Sequence, residues 1–142
     1  MESIDASSPF ERSELEMYDM QQRTLISVVD DDVSIRESLP DLLQTLGFSA
    51  TPFASAEEFL ASAVLADTRC LILDVSLPGM SGPQLQSELS RRELKIPIIF
   101  ITAHRDRDLR ADLLARGAGE CLFKPFSEHE LRSALNRVAG AA

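Results

Sequence analysis

There is no tryptophan in this sequence, a single tyrosine, and only two cysteines. Cys70 and Cys121 fit neither a CxxC pair nor a cysteine/histidine metal spacing. That excludes a zinc module and a disulfide framework, and leaves two buried thiols in a reducing compartment. Long apolar runs are missing too. No stretch approaches the ~20 residues that span a bilayer, and Met1-Glu2-Ser3-Ile4-Asp5 lacks the basic and apolar regions of a signal peptide. These absences predict a cytoplasmic protein with no membrane association. Basic residues are scarce, 14 against 23 acidic ones, for a net charge of −9, which argues against nucleic-acid binding by counterion release over the whole surface. The densest basic run, Arg105, Arg107 and Arg110, is interrupted by Asp106 and Asp108, so no direct contact with nucleic acid is expected. The glycine fingerprint of a dinucleotide-binding turn is also missing. Gly117-Ala118-Gly119 follows a helix and has no third glycine.

What remains is an ordinary apolar fraction, 44% over 142 residues, enough for one compact domain and an appendage. Three parts are expected: an extension over 1–23, a folded domain over 24–139 and a tail over 140–142. The extension carries six acids (Glu2, Asp5, Glu11, Glu14, Glu16, Asp19) against Arg12 and Arg23. It is either disordered or one short helix ending near Gln22, because Ser8-Pro9-Phe10-Glu11 has the form of a capping box.

Within the folded part, strands and helices alternate. Strands are predicted over 25–29, 48–53, 71–74, 97–102 and 120–123, of which the third and fourth are short aliphatic runs that read as buried on both faces. Pro52 suits an outermost strand, since it cannot donate to a ladder. Helices are predicted over 34–46, 55–63, 83–91, 107–116 and 127–138, several opened by capping-box serines (Ser55, Ser127) and two closed by Gly47 and Gly117. Pro40 falls inside the first and should bend it. Five strands alternating with five helices imply a doubly wound α/β fold, a flavodoxin-like parallel sheet in the order 2-1-3-4-5.

In that order every conspicuous polar residue arrives at the carboxyl end of a strand, where open α/β sheets bind ligands. Asp30, Asp31 and Asp32 end the first strand, Asp74 the third, Thr102 the fourth and Lys124 the fifth. Each alone has an ordinary explanation as a cap or a turn residue. Gathering carboxylates is costly unless a cation neutralises them, and a divalent ion with Lys124 would do so. A carboxylate nucleophile, a metal, a lysine and a hydroxyl are the parts that phosphoryl transfer to an aspartate requires.

From about Leu25 to Val138 the sequence resembles the receiver domain of bacterial two-component response regulators. The motifs that carry the resemblance are Asp30-Asp31, Leu71 to Asp74 with its Leu77-Pro78-Gly79-Met80-Ser81-Gly82 loop, Thr102-Ala103, and Lys124-Pro125-Phe126. The resemblance implies that Asp74 accepts a phosphoryl group from the phosphohistidine of a sensor histidine kinase or a phosphotransfer protein. It also implies that Asp31, Asp74 and the Ser76 backbone carbonyl ligate Mg²⁺, with Asp30 acting through water. Thr102 and Lys124 would bond phosphoryl oxygens, and the Lys124-Pro125 peptide would be cis. Such a domain is a signalling phosphoacceptor, not classed as an enzyme, whose phosphorylation switches protein–protein contacts.

Some positions depart from the family. Cys121 stands where receivers usually carry an aromatic that turns inward, so a muted switch is expected, while Ser76 and His104 stand where receivers tune the access of hydrolytic water. The output face is expected on the helices beginning near Arg107 and Ser127, combining Leu109, Leu113 and Ala134 with Arg105, Arg110 and Arg132, for a partner protein or a phosphorylation-dependent dimer. With no output domain after Ala142, either a stand-alone receiver or a fragment of a larger transcriptional regulator is expected. Two other classes fit less well. A haloacid-dehalogenase-type phosphatase needs a second acid where Ser76 stands, and a flavodoxin-like ligand-binding module would not place three carboxylates in its first loop.

Overall fold

The computed structural model describes residues 23–139. The expected short helix over 8–22 and the tail over 140–142 lie outside the described residues. Five strands, β1 (Leu25–Val29), β2 (Ser49–Phe53), β3 (Cys70–Asp74), β4 (Ile98–Thr102) and β5 (Glu120–Phe123), form one sheet in the order β2-β1-β3-β4-β5. All neighbouring pairs are parallel. Five helices connect them: α1 (Val33–Thr45), α2 (Ala56–Leu60), α3 (Gly82–Arg91), α4 (Arg107–Ala115) and α5 (Glu128–Val138), with a 3-10 turn at Leu65–Asp67. The doubly wound order is the expected one, with β2 outermost and Pro52 exposed on it.

The helices divide between the two faces. Leu39 and Leu43 of α1 and Leu131 and Leu135 of α5 pack with Ile26, Val28, Ile72, Ile99 and Leu122 on one side. Phe59, Leu85, Leu89 and Leu113, from α2, α3 and α4, pack with Val29, Leu71, Leu73 and Phe100 on the other. β3 and β4 are buried at every position, which explains their unbroken aliphatic runs: alternate side chains enter opposite cores, and both cores are apolar.

Local signals set the helix starts. Asp32 caps α1 by accepting from the Ser34 amide at 2.9 Å, and Ser127 with Glu130 closes a full capping box on α5. Ser81 and Gln84 form a second full box, which starts α3 at Gly82, one residue earlier than the sequence suggests. At Ser55 only half the expected box forms: its hydroxyl accepts from the Glu58 amide, and the Glu58 carboxylate meets that hydroxyl, not the Ser55 amide. The helix is shorter than the expected 55–63. Ser62 donates back three residues to Phe59, a tightening that ends α2 and leads into the 3-10 turn. Pro40 is buried within an uninterrupted α1.

Candidate functional site

Parallel register builds the site. Val29 of β1 pairs with Leu73 of β3, so one residue further on the two strands present Asp30 and Asp74 side by side. By alternation Asp30 follows Ile26 and Val28, Asp74 follows Cys70 and Ile72, and Lys124 follows Leu122, residues that share the α1/α5 core. Thr102 follows Phe100 and belongs to the α2–α4 side. Thr102 therefore reaches the same strand edge from the other face of the sheet.

Carboxylate oxygens of Asp30, Asp31 and Asp74 all lie within 4.8 Å of one another. The three differ in environment: Asp30 is fully buried and Asp74 is 6% exposed, whereas Asp31 faces solvent. Asp32, the fourth acid at this edge, is occupied as the α1 cap. The Ser34 hydroxyl and amide that bond it hold its carboxyl below the usual value. Asp30 is fixed from both ends, since one oxygen accepts from the Asp32 amide at 2.9 Å and the other meets Lys124 Nζ at 2.8 Å. Lys124 Nζ stands 3.6 Å from Asp74 Oδ2, and Asp74 Oδ1 accepts from the Ser76 amide at 3.2 Å.

The electrostatics follow from this crowding. Burial first, and the Asp30 charge second, push the Asp74 carboxyl up to about 6, against the opposing pull of Lys124 and the Ser76 amide. For Lys124, burial works against the charged form, but the bond to Asp30 and the charges of Asp74 and Asp30 outweigh it and raise its pKa. One lysine thus stands between two buried carboxylates, with a third beside them. Three carboxylates without a nitrogen or sulfur ligand are the donor set of a hard divalent cation. The residues fit such an ion: three carboxylates whose oxygens lie within 4.8 Å of one another share a single lysine.

Thr102 is almost fully buried, its hydroxyl accepting from the His104 amide at 3.1 Å and its carbonyl from the Lys124 amide at 2.8 Å. The Lys124-Pro125 peptide is cis, as the motif implies. Ser76 is exposed at the start of the β3–α3 loop. Cys121 is buried in the α2–α4 core, and the ring paired in register with Thr102 is Phe123, with the Arg105 guanidinium 5.6 Å from its centroid. Asp30, Asp31, Asp74 and Lys124 are thus brought together, with Thr102 and Ser76 on the strand end and loop beside them.

One expectation is corrected. Leu113 and Ala134 cannot form an output face, because both are fully buried and belong to different cores. Arg110 is also committed, bonding Glu120 Oε1 at 2.6 Å, while Arg137 holds the other oxygen of that buried carboxylate at 2.6 Å. Sequence reading missed this Arg110–Glu120–Arg137 bridge between α4 and α5, and no local pattern announces it. It named Gly82 in the loop motif but missed its packing role: an added Cβ there would lie 2.5 Å from the Asp74 carbonyl oxygen and 3.1 Å from the Phe100 ring. A glycine opening a helix beside a chemically marked strand is a readable signal of close approach.

A family model for the response regulator receiver domain matches residues 26–136. The chain belongs to this receiver family. Nodulation protein W of Bradyrhizobium diazoefficiens is 43% identical over 113 residues, 80% of this chain and 50% of that protein. The transcriptional regulatory protein TdiR of Thauera aromatica is 39% identical over 111 residues, 78% of this chain and 49% of that one. Among solved structures, the Vibrio cholerae chemotaxis protein CheY4 superposes with a TM-score of 0.73 at 30% identity, covering 82% of this chain and 98% of that one. The receiver spans about half the length of the curated relatives it matches. It is a phosphoacceptor domain of two-component signalling, a class that works with histidine kinases or phosphotransfer proteins. No helix among the described residues is long and apolar enough to cross a membrane.

Proposed function

We propose that Asp74 is the phosphoacceptor and that Asp30, Asp31, Asp74 and the Ser76 backbone carbonyl hold Mg²⁺. The observation that carries this reading is the convergence of three carboxylates within 4.8 Å beside a lysine 2.8 Å from one and 3.6 Å from another. When bound, Mg²⁺ supplies positive charge where a phosphoryl group meets Asp74. Above a pKa of about 6 Asp74 is ionised and its Oδ is a nucleophile. As the Oδ–phosphorus bond forms, the bond from phosphorus to the donor's imidazole nitrogen breaks, and the electron pair returns to the imidazole. Lys124 then faces the added charge, and the Thr102 hydroxyl, which accepts from the His104 amide and keeps its own proton free, donates to a phosphoryl oxygen. The chain acts as a phosphoacceptor with its own chemistry and not as a turnover enzyme.

The donor is a sensor histidine kinase or phosphotransfer protein of the cytoplasm. A groove of about 540 Å³ runs from Lys124 along Ile35, Leu39, Leu42 and Phe126, and Val33, 54% exposed, stands on the same helix. A helical donor seated there would place its phosphohistidine over Asp74, because the groove ends at the lysine that contacts it. Phosphotransfer from a phosphorylated histidine donor tests this. Val33→Glu should slow that transfer while leaving labelling by acetyl phosphate unchanged, and equal slowing of both would refute donor docking. Output is association, with a partner protein or as a phosphorylation-dependent dimer. A second reading, a receiver within a longer transcriptional regulator, is favoured by relatives that bear that name and are about twice the matched length. The size of the endogenous protein on an immunoblot decides between the two.

A further inference from the structure

The β3–α3 loop, residues 76–81, follows Asp74 and carries the Ser76 carbonyl. Its own segment closes the base: the Gly82 amide donates to the Val75 carbonyl at 3.0 Å, and the Ser81 amide to Gln84 Oε1 at 2.8 Å. Beyond that base and the Ser76 amide's bond to Asp74 Oδ1 at 3.2 Å, one hydrogen bond among the described residues ties the loop to another element. The Met80 amide donates to Oε2 of Glu57, on α2, at 2.9 Å.

The contact is built on both sides. Glu57 is an exposed residue in the first turn of α2, with no cation bonded to it among the described salt bridges. Gly79 has φ +71, and an added Cβ there would lie 2.7 Å from Glu57 Oε2. The loop tip thus turns through the left-handed region at the one residue whose lack of a side chain admits the carboxylate. The Met80 amide, the largest influence on Glu57, holds its carboxyl below the usual value. Leu77 packs into the α2–α4 core while the tip at Pro78 and Gly79 is exposed, so without the tether the tip would sample other positions and pull on the Ser76 carbonyl through Leu77.

We propose that Glu57 is a positioning residue for the metal site: by anchoring Met80 it fixes the loop that delivers the Ser76 carbonyl beside Asp74. The inference rests on the Mg²⁺ site proposed above. It makes α2, which contributes no group to the chemistry, part of the machinery that sets Mg²⁺ affinity. Outer partners that orient metal ligands commonly change affinity by about tenfold or more. Glu57 acts at one further remove, so about fivefold is expected.

The test compares Glu57→Ala with Glu57→Gln in the full chain, since the glutamine amide oxygen still accepts from Met80. Mg²⁺ affinity is read from the metal-dependent melting shift, and labelling by acetyl phosphate is followed at limiting and saturating Mg²⁺. Glu57→Ala should weaken Mg²⁺ binding about fivefold, slow labelling by the same factor at limiting Mg²⁺, and recover the wild-type rate at saturation. Its metal-free melting point should stay within about 2 °C of wild type, amide exchange at Met80 should quicken, and Glu57→Gln should match wild type. Wild-type Mg²⁺ affinity in Glu57→Ala, or a Gln variant as impaired as the Ala variant, would overturn the inference while leaving the metal site standing. A wild-type chain indifferent to Mg²⁺ would overturn both.

Discussion

Replacing Asp74 with asparagine should stabilise the metal-free protein. The carboxyl is pushed up to about 6 in the folded state, from an ordinary 3.8, because ionising it means placing charge in a buried pocket beside Asp30. Between those values the native state binds more protons than the unfolded chain, so stability falls as pH rises through that window. Above about pH 6 the full penalty applies, roughly 3 kcal/mol for a shift of about two units. Asparagine keeps an acceptor for the Ser76 amide and carries no charge, but loses the attraction of Lys124, so about 1–3 kcal/mol of stabilisation is expected at pH 7.5. For a domain of this size that is a rise of roughly 3–10 °C in melting temperature. Thermal unfolding in EDTA at pH 7.5, 6 and 4 measures it: the variant's advantage should shrink through pH 6 and vanish by pH 4. A variant equal to or less stable than wild type at pH 7.5, or an advantage that ignores pH, would refute the electrostatic reasoning.

Asp31→Ala should remove most of the Mg²⁺-dependent melting shift, since preferential binding to the native state is what produces it; an unchanged shift would rule out Asp31 as a ligand. Gly82→Ala should destabilise by about 1–3 kcal/mol because its Cβ meets the Asp74 carbonyl at 2.5 Å, and urea denaturation will show whether α3 can retreat. Breaking the bridge with Glu120→Gln should cost about 1–2 kcal/mol, less than for a fully buried pair because Arg110 and Arg137 remain solvated. The Glu120 carboxyl lies below its usual value: although burial is the largest influence and raises it, the Cys121 amide, Arg137 and Arg110 together outweigh it. Its contribution is therefore present above the unfolded pKa and lost as pH falls through the lowered one, so wild type and variant should converge in acid.

The strands, their order and the acids at their ends were legible because parallel strands buried on both faces write themselves as short aliphatic runs, and the residue after each run lands at the functional edge. Less could be read about the differences among those acids. Asp30, Asp31 and Asp32 are identical in sequence, yet one is buried against Lys124, one faces solvent and one caps α1, a division set by strand register and by where the helix begins. The output face was misread for a related reason. Leu113 and Ala134 are conspicuous at helical spacing because they belong to the core, and the same spacing cannot mark the solvent side. Glu57 and Glu120 were illegible because their partners are 23 and 10 or 17 residues away on other elements, beyond any local pattern.

Intact mass after incubation with acetyl phosphate and Mg²⁺, for wild type and Asp74→Asn side by side, bears most directly on the central assignment. One added phosphoryl group on wild type, none on the variant, and none on either in EDTA is the predicted result. Full labelling of Asp74→Asn would contradict it.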